Sequence, residues 1–310
     1  MRVKVISKTP LESTLEISNT NHIEINTLRR IIFKCIPVHG WSDITIKENS
    51  SVYAHNDYLK KRLEQFPVFA NNDRRRLHAL ILRKRNTILM NEQMDDITDM
   101  DVITMSCNIK HQDPNVECLY VTTEHCTFYK NGKEISNPYT QAIQDGCLRG
   151  HLLILKMRYN EELNFIATSG INCPLVDARW NCANCFFREI TPTKYEFIIL
   201  SYGQIPPIEI FARANIILEK KLMFFTSLLE NNHQDIASSK NGEIMFPNDS
   251  FILTPILVDK LKQDPRISYA GFMNDTLLNQ NCSIKFNSST EILNVIRDVS
   301  TSIISNLYRE

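Results

Sequence analysis

Residues 207–230 have the sequence PIEIFARANIILEKKLMFFTSLLE, and this stretch decides how the rest of the chain is interpreted. Its apolar side chains recur at alternating steps of three and four, which places them on one face of a helix. Pro207 at the start and Glu209 in the first turn are typical of a helix N-terminus. The members of this apolar stripe are Ile208, Phe211, Leu218, Leu222, Phe225 and Leu229.

One polar residue, Asn215, interrupts the stripe. A polar side chain inside an apolar seam can fix the register between paired helices. The alternative is that Asn215 lies at a solvated edge of the helix, and the sequence favours neither interpretation.

A second apolar stripe lies close to the C-terminus. Ser288 stands three residues before Glu291, the spacing of a capping box, and a final helix is predicted to follow. The apolar face of that helix consists of Ile292, Val295, Ile296, Val299, Ile303 and Leu307. The segment that carries it has roughly 65 residues and is marginal as a domain by itself. We therefore expect the two stripes to pack against each other within one chain.

A third helix is predicted after Asn21, a good N-cap, with Glu24 again at capping-box spacing. Arg29 and Arg30 fall off its apolar face, and Pro37 and Gly40 are expected to end it. The apolar face consists of Ile25, Leu28, Ile32 and Cys35.

Strand patterns fill much of the remaining sequence, so the predicted fold class is α+β. Residues 152–157 and 163–168 are predicted to pair with each other, and residues 118–129 to form one strand that ends at an Asn131-Gly132 turn. Further strands are predicted at 14–17, 41–47, 103–109, 195–201, 243–246, 268–272 and 283–286, and shorter helices at 57–65 and 255–262.

Composition points to an intracellular protein that binds other proteins. The 310 residues include 35 basic and 35 acidic side chains, and this neutrality favours protein partners over nucleic acid. Nine cysteines, an odd number, are most simply free thiols in a reducing compartment. Neither a signal peptide nor an apolar run near the ~20 residues of a membrane span is predicted, and we expect no membrane contact.

Several short motifs, in this order, resemble alpha-type subunits of multisubunit DNA-directed RNA polymerases. For the large alpha-like subunit they are NTLRRII (26–32), ITI (44–46), YLKKRL (58–63), FPV (66–68), GI (170–171), DARW (177–180), YEF (195–197), PIEI (207–210) and ILEKKL (217–222). DPRI (264–267) and YAGF (269–272) resemble the small alpha-like subunit, the eleventh of RNA polymerase II, where the large one is the third. The fusion of both in one chain resembles an arrangement of large DNA viruses.

The resemblance implies an alpha-type dimerisation fold in which the two halves form an intramolecular pseudo-dimer. The implied dimerisation domain comprises residues 1–45 and 191–230, with an inserted β-rich domain at 46–190. Residues 231–242 would be a linker, and 243–310 the small alpha-like module. The implied interface consists of Leu28, Ile32, Phe211, Leu218, Leu222, Phe225, Val295, Val299 and Ile303.

The implied function is that of a non-catalytic assembly platform without a cofactor. The second-largest subunit would dock first and the largest later, other small subunits would be partners, and DNA would be contacted only through the complex. The docking residues implied are Arg29, Arg30, Asp177, Arg179 and Trp180, with Asp177 standing where the family has histidine. For the arginine pair, the alternative is a solvated charged face. The location would be the virion or a cytoplasmic viral factory, or the nucleus if the protein is not viral.

Two other function classes can be derived from the residues. A stand-alone zinc- or nucleic-acid-binding regulator would use the cysteines and the basic run Arg74, Arg75 and Arg76. The zinc candidates are Cys107, His111, Cys118, His125 and Cys126, but their spacing is wide for a compact zinc loop. A redox enzyme would use the CxxC of Cys182 and Cys185, which lacks the surrounding βαβ pattern, so structural cysteines are favoured.

Overall fold

The structure is a computed structural model that describes residues 1–69, 102–232, 239–246, 252–274 and 282–308. Its helices are α1 (His22–Lys34), α2 (Asn56–Glu64), α3 (Pro138–Gln144), α4 (Pro207–Asn232), α5 (Leu253–Gln263) and α6 (Ile292–Asn306). Its first strands are β1 (Arg2–Lys8), β2 (Glu12–Ser18), β3 (Val38–Asn49), β4 (Ile103–Lys110), β5 (Leu119–Thr122), β6 (Thr127–Lys130) and β7 (Lys133–Ile135). The later strands are β8 (Leu153–Met157), β9 (Glu162–Asn172), β10 (Ala183–Thr191), β11 (Lys194–Ser201), β12 (Asn241–Phe246), β13 (Ile267–Asn274) and β14 (Cys282–Ser288).

The structure combines antiparallel sheets with helices, and the predicted α+β class is confirmed. A four-stranded sheet has the order β1-β2-β11-β10, and a five-stranded sheet has the order β3-β9-β4-β6-β7. A two-stranded sheet pairs β5 with β8, and a three-stranded sheet near the C-terminus has the order β12-β14-β13. Every strand pairing among the described residues is antiparallel.

One apolar core, the first core, joins the four-stranded sheet, α1 and α4 to the C-terminal sheet, α5 and α6. All nine residues of the predicted interface lie in this core and are at most 6% exposed. The stripe of α4 packs against that of α6, and α1 packs against α5. Burial of apolar surface is the main favourable term in such packing, so this seam is a principal source of the stability of the fold.

Polar contacts also connect the C-terminal helices to α1 and α4. The Nδ2 of Asn21 donates to Asp259 at 2.8 Å, and the Lys260 ammonium lies 2.7 Å from the Glu24 carboxylate. At the other end, Arg297 pairs with Glu230 at 2.7 Å. Because these pairs join α1 to α5 and α4 to α6, they set the register of the two helix contacts.

Asn215 is 2% exposed, so its interpretation as a solvated edge is wrong. Its Nδ2 donates to the Phe211 carbonyl at 2.8 Å, and its Oδ1 accepts from the Tyr308 backbone N–H at 3.3 Å. The centroids of the Tyr308 and Phe211 rings lie 5.7 Å apart. The polar interruption in the stripe therefore holds the chain just after α6 against α4.

A second core lies between β3, β4, β6, β8, β9 and α2, and its large members include Trp41, Phe128, Tyr139 and Phe165. The predicted pairing of 152–157 with 163–168 is wrong, although both segments are strands. β9 has β3 on one side and β4 on the other, so it has no open edge left for β8. β8 pairs with β5 instead.

Three further local predictions need correction. Ser288 does not cap the last helix, because it belongs to β14 and the N-cap position of α6 is Glu291, which makes no side-chain cap hydrogen bond. Residues 118–129 form two strands rather than one, separated by a 3-10 turn at Thr123–His125. Asn21 caps α1 as predicted, but the Glu24 carboxylate accepts from Thr20 at 2.7 Å rather than closing a capping box.

The Asn131-Gly132 turn is confirmed, since both residues have positive φ and connect β6 to β7. The linker was predicted at 231–242, but α4 runs to Asn232 and β12 begins at Asn241, so both ends of that range belong to regular elements. Residues 233–238 of the range lie outside the described residues. Among the helices that the structure describes, none is long and apolar enough to cross a membrane.

We expect Leu222→Asp to destabilise the protein by about 3–5 kcal/mol, because the new carboxylate would be buried without a partner. Leu222 is 0% exposed in the seam between the helices, whereas its neighbour Met223 is 46% exposed. Met223→Asp is therefore the matched control and should stay within about 0.5 kcal/mol of the parent. Urea unfolding followed by circular dichroism measures both, and equal midpoints for the two variants would contradict burial of the stripe.

Candidate subunit-docking face

Arg29 and Arg30 lie half-buried on the side of α1 that turns away from the first core. The Nε and Nη2 of Arg29 both donate to Asn26 Oδ1, at 3.1 and 2.9 Å. The same guanidinium lies 5.7 Å from the ring centroid of Phe33. These contacts hold the Arg29 side chain along the helix surface, so a bound acceptor would meet an already ordered group.

The segment that contains the DARW motif runs alongside α1. The Leu175 N–H donates to the Lys34 carbonyl at 2.9 Å, and the Cys185 thiol donates to the Arg29 carbonyl at 3.7 Å. α1 also packs against β10, which follows the motif. The segments on either side of the predicted docking turn therefore contact the helix that carries the two arginines.

The turn itself is a short 3-10 helix at Ala178–Trp180, capped by Asp177. The Asp177 Oδ1 accepts from the Arg179 backbone N–H at 3.0 Å, and the Asp177 side chain is 49% exposed. Trp180 is only 3% exposed. Asp177 is thus accessible to a partner, whereas Trp180 is an internal anchor of the turn.

Trp180 packs directly on the backbone of Gly40 in β3. A Cβ at residue 40 would lie 2.6 Å from Cζ3 of Trp180, closer than side-chain atoms approach each other. Gly40 was expected to end the first helix, but it lies inside a strand. The glycine is needed there because only a residue without a side chain leaves room for the indole.

Arg179 connects the turn to the second core. Its Nη1 lies 3.0 Å from Oε1 of Glu64, at the end of α2, and its guanidinium lies 5.2 Å from the Trp180 ring. Lys61 also pairs with Glu64, at 2.9 Å. Glu64 is 6% exposed, so this pair is shielded from solvent more than a typical surface ion pair.

Sequence reasoning missed both Glu64 and Gly40 as parts of the site. Glu64 lies in a polar helix where a carboxylate has no distinguishing pattern, and its partner is more than a hundred residues further along the chain. The glycine requirement becomes visible only once Trp180 is placed against β3.

Cys182 and Cys185 are buried in the first core, and burial raises the pKa of each thiol to about 12. Arg29 acts in the opposite direction on Cys185, but burial is the larger effect. At neutral pH both thiols are protonated, and Cys185 lies in β10 rather than at a helix N-terminus. These surroundings favour structural cysteines over a reactive redox pair.

The five zinc candidates are spread over β4, the loop after it and the turn before β6. His111 Nε2 is hydrogen-bonded to the Val116 carbonyl at 2.9 Å, and His125 Nδ1 accepts from the Thr122 N–H at 3.2 Å. Within the described part of the chain, no three His, Cys, Asp or Glu side chains come together in a way that could hold a metal ion. The basic run Arg74–Arg76 lies outside the described residues.

Comparison with known proteins finds a relative from a giant virus. The chain is similar to a protein of Acanthamoeba polyphaga mimivirus that is provisionally named a DNA-directed RNA polymerase subunit. The two are 22% identical, and the alignment covers 97% of this chain and 88% of the relative. No family model matches the chain. The likeness includes both cores and the C-terminal segment, because it spans nearly the whole length.

We expect Gly40→Ala to destabilise the protein by about 1–3 kcal/mol, because the added methyl group would overlap the Trp180 ring. The control is Gly150→Ala, where the new Cβ would meet nothing within 4 Å. Thermal unfolding measures both variants, and adding Trp180→Phe to Gly40→Ala should recover part of the loss. If Gly40→Ala has the same melting temperature as the control, the indole does not pack on β3 as described.

Proposed function

We propose that this chain is a non-catalytic assembly subunit of a multisubunit DNA-directed RNA polymerase, with the large and small alpha-like subunits fused in one polypeptide. The observation that carries the proposal is the likeness to a mimivirus protein named as a polymerase subunit, over 97% of this chain. That likeness extends through the C-terminal segment, so the relative would share the fused arrangement.

The helix packing supports an intramolecular pseudo-dimer. In the first half, α1 and α4 pack on the four-stranded sheet, and in the second half α5 packs on the three-stranded sheet with α6 beside it. α1 and α5 each follow the first strands of their half, and α4 and α6 each end their half, so the helices of each pair are equivalent. α1 contacts α5, and α4 contacts α6. Elements close to a twofold axis contact their own equivalents, so these two helix pairs are compatible with a pseudo-twofold axis between the halves.

Fusion would make this pairing intramolecular. The two halves are joined by a short connection between α4 and β12, so the effective concentration of one half near the other is on the order of mM. Assembly of the platform would then not depend on two separately made chains meeting in solution.

The two apolar cores support the domain division that the resemblance implies. We assign residues 1–45 and 191–230 to a dimerisation domain, the inserted β-rich domain to 46–190, and the small alpha-like module to 243–310. Residues 171–190 are the exception to this division: we move them from the inserted domain to the dimerisation domain, because Ile171, Trp180 and Cys185 lie in the first core. β10 also pairs with β11 of the four-stranded sheet.

Arg29, Arg30 and Asp177 form the docking face in this proposal, and the second-largest polymerase subunit is its partner. Planar guanidinium groups suit this task because they offer several hydrogen bonds in fixed directions. Arg179 and Trp180 act beneath the face, holding the turn against Glu64 and Gly40. The largest subunit joins afterwards, and RNA synthesis belongs to the assembled complex, in the virion or a viral factory.

The test is affinity purification of a tagged chain from its native source, followed by mass spectrometry. The unmodified chain should recover the second-largest and largest polymerase subunits. Replacing Arg29 and Arg30 with Glu should abolish their recovery while leaving the melting temperature within a few degrees, because both side chains lie off the core.

The control carries the same change of charge at Arg2 and Lys4, which are exposed on β1 at the opposite edge of the sheet. It should recover the large subunits normally. Failure of the unmodified chain to recover any large polymerase subunit would end the proposal. If the Arg29 and Arg30 variant recovered the large subunits normally, only the docking role of these two residues would be contradicted.

A further inference from the structure

Exposed tyrosines stand beside cationic side chains in a row along β8 of the second core. Three tyrosines, Tyr53, Tyr58 and Tyr120, are each about half exposed. Each lies within contact distance of an arginine or lysine. The row, called the tyrosine–cation row below, consists of Tyr58 with Arg62, Tyr120 with Lys156, and Tyr53 with Arg158.

The middle pair is set by strand register. Tyr120 on β5 and Lys156 on β8 are directly opposite each other in the ladder. The Lys156 ammonium lies 4.9 Å from the centroid of the Tyr120 ring. Leu155 and Met157 point into the second core, so the alternation of the strand turns Lys156 to solvent.

The other two pairs flank this one. Arg158, two residues beyond Lys156, lies 5.0 Å from the Tyr53 ring and donates through Nε to the Tyr53 hydroxyl at 3.2 Å. At the opposite end, Arg62 donates to the Leu153 carbonyl at 2.9 Å and to the Tyr58 hydroxyl at 3.4 Å. From residue 153 to residue 158 the chain advances about 16 Å at the usual strand rise.

A buried carboxylate holds the Tyr53 end of the row in place. Glu161 is 7% exposed, and it accepts from the backbone N–H groups of Val52, at 3.1 Å, and Arg158, at 2.8 Å. The Ser51 hydroxyl donates to the Lys156 carbonyl at 3.2 Å. The loop that carries Tyr53 is thus fixed against β8, and the row needs little ordering on binding a ligand.

Half-exposed rings beside cationic side chains fit the chemistry of single-stranded nucleic acid. Each ring offers a face on which a base can stack, and each neighbouring cation can pair with the adjacent phosphate. The zero net charge of the whole chain does not oppose this, because Arg62, Lys156 and Arg158 are gathered locally around β8. A row about 16 Å long has room for a few nucleotides rather than a long tract.

We propose that the tyrosine–cation row binds single-stranded RNA. The choice of RNA over DNA rests on the proposed function, because a polymerase complex releases RNA. The proposed RNA-binding residues lie on the surface around β8, whereas the proposed docking face lies on α1 and the turn after β9. The two surfaces can therefore be disabled separately.

Fluorescence anisotropy of a labelled 12-nucleotide oligouridylate, titrated with the full-length chain, tests the proposal. Each of Tyr53→Ala and Tyr120→Ala should weaken binding roughly 5- to 150-fold, the effect of losing one stacked base. Lys156→Gln with Arg158→Gln should lower the slope of log K against log salt by about 1.4, the value for two phosphate contacts on a single strand.

The matched controls are Tyr269→Ala and Lys285→Gln, which change an exposed tyrosine and an exposed lysine on the C-terminal sheet. They should leave RNA binding unchanged. Absence of saturable RNA binding, equal losses in the controls, or tighter binding of oligothymidylate than of oligouridylate would each overturn the proposal. Co-purification of polymerase subunits is measured separately, so its failure is distinguishable from loss of RNA binding.

Discussion

The apolar seam between α4 and α6, with α1 against α5 beside it, is the contact on which the rest of the structure depends. Neither half has a complete core alone, because each presents an apolar helix face that only the other half covers. Once the seam forms, the Arg297–Glu230 and Lys260–Glu24 pairs and the Asn215 contact with Tyr308 fix its register. The four-stranded sheet then has a rigid support, and α1 presents its arginines from a fixed position.

The second core is attached to this support through a small set of contacts. β3 and β9 run from one core into the other, Trp180 sits on Gly40, and Arg179 reaches Glu64. The predicted docking turn is therefore also the place where the two cores meet. A partner that binds there would contact both cores, as the proposed platform role would require.

Helix faces and most strands were predictable from the sequence because each depends on a local period. The stripes of α1, α4 and α6 and the strands around 103–109 and 195–201 follow directly from that period. Which strands pair with each other was not predictable in the same way. β8 was expected to pair with its neighbour in sequence, yet β9 is enclosed by β3 and β4, and that depends on long-range topology. β10 and α3 were missed because their patterns are short and mixed.

In the candidate site, Arg29, Arg30 and Asp177 were identified through a resemblance, whereas Glu64 and Gly40 are recognisable only from contacts between distant segments.

The central claim is that the two helical halves pair within a single chain, and zero-length cross-linking of Glu24 to Lys260 tests it most directly. These side chains are 2.7 Å apart and join α1 to α5. Equal amounts of ¹⁵N-labelled and unlabelled chain are mixed after unfolding and refolding, treated with a carbodiimide and analysed by mass spectrometry. Intramolecular pairing predicts that the linked peptides are either both labelled or both unlabelled. A large share of mixed pairs, or no cross-link between these two residues, would contradict it.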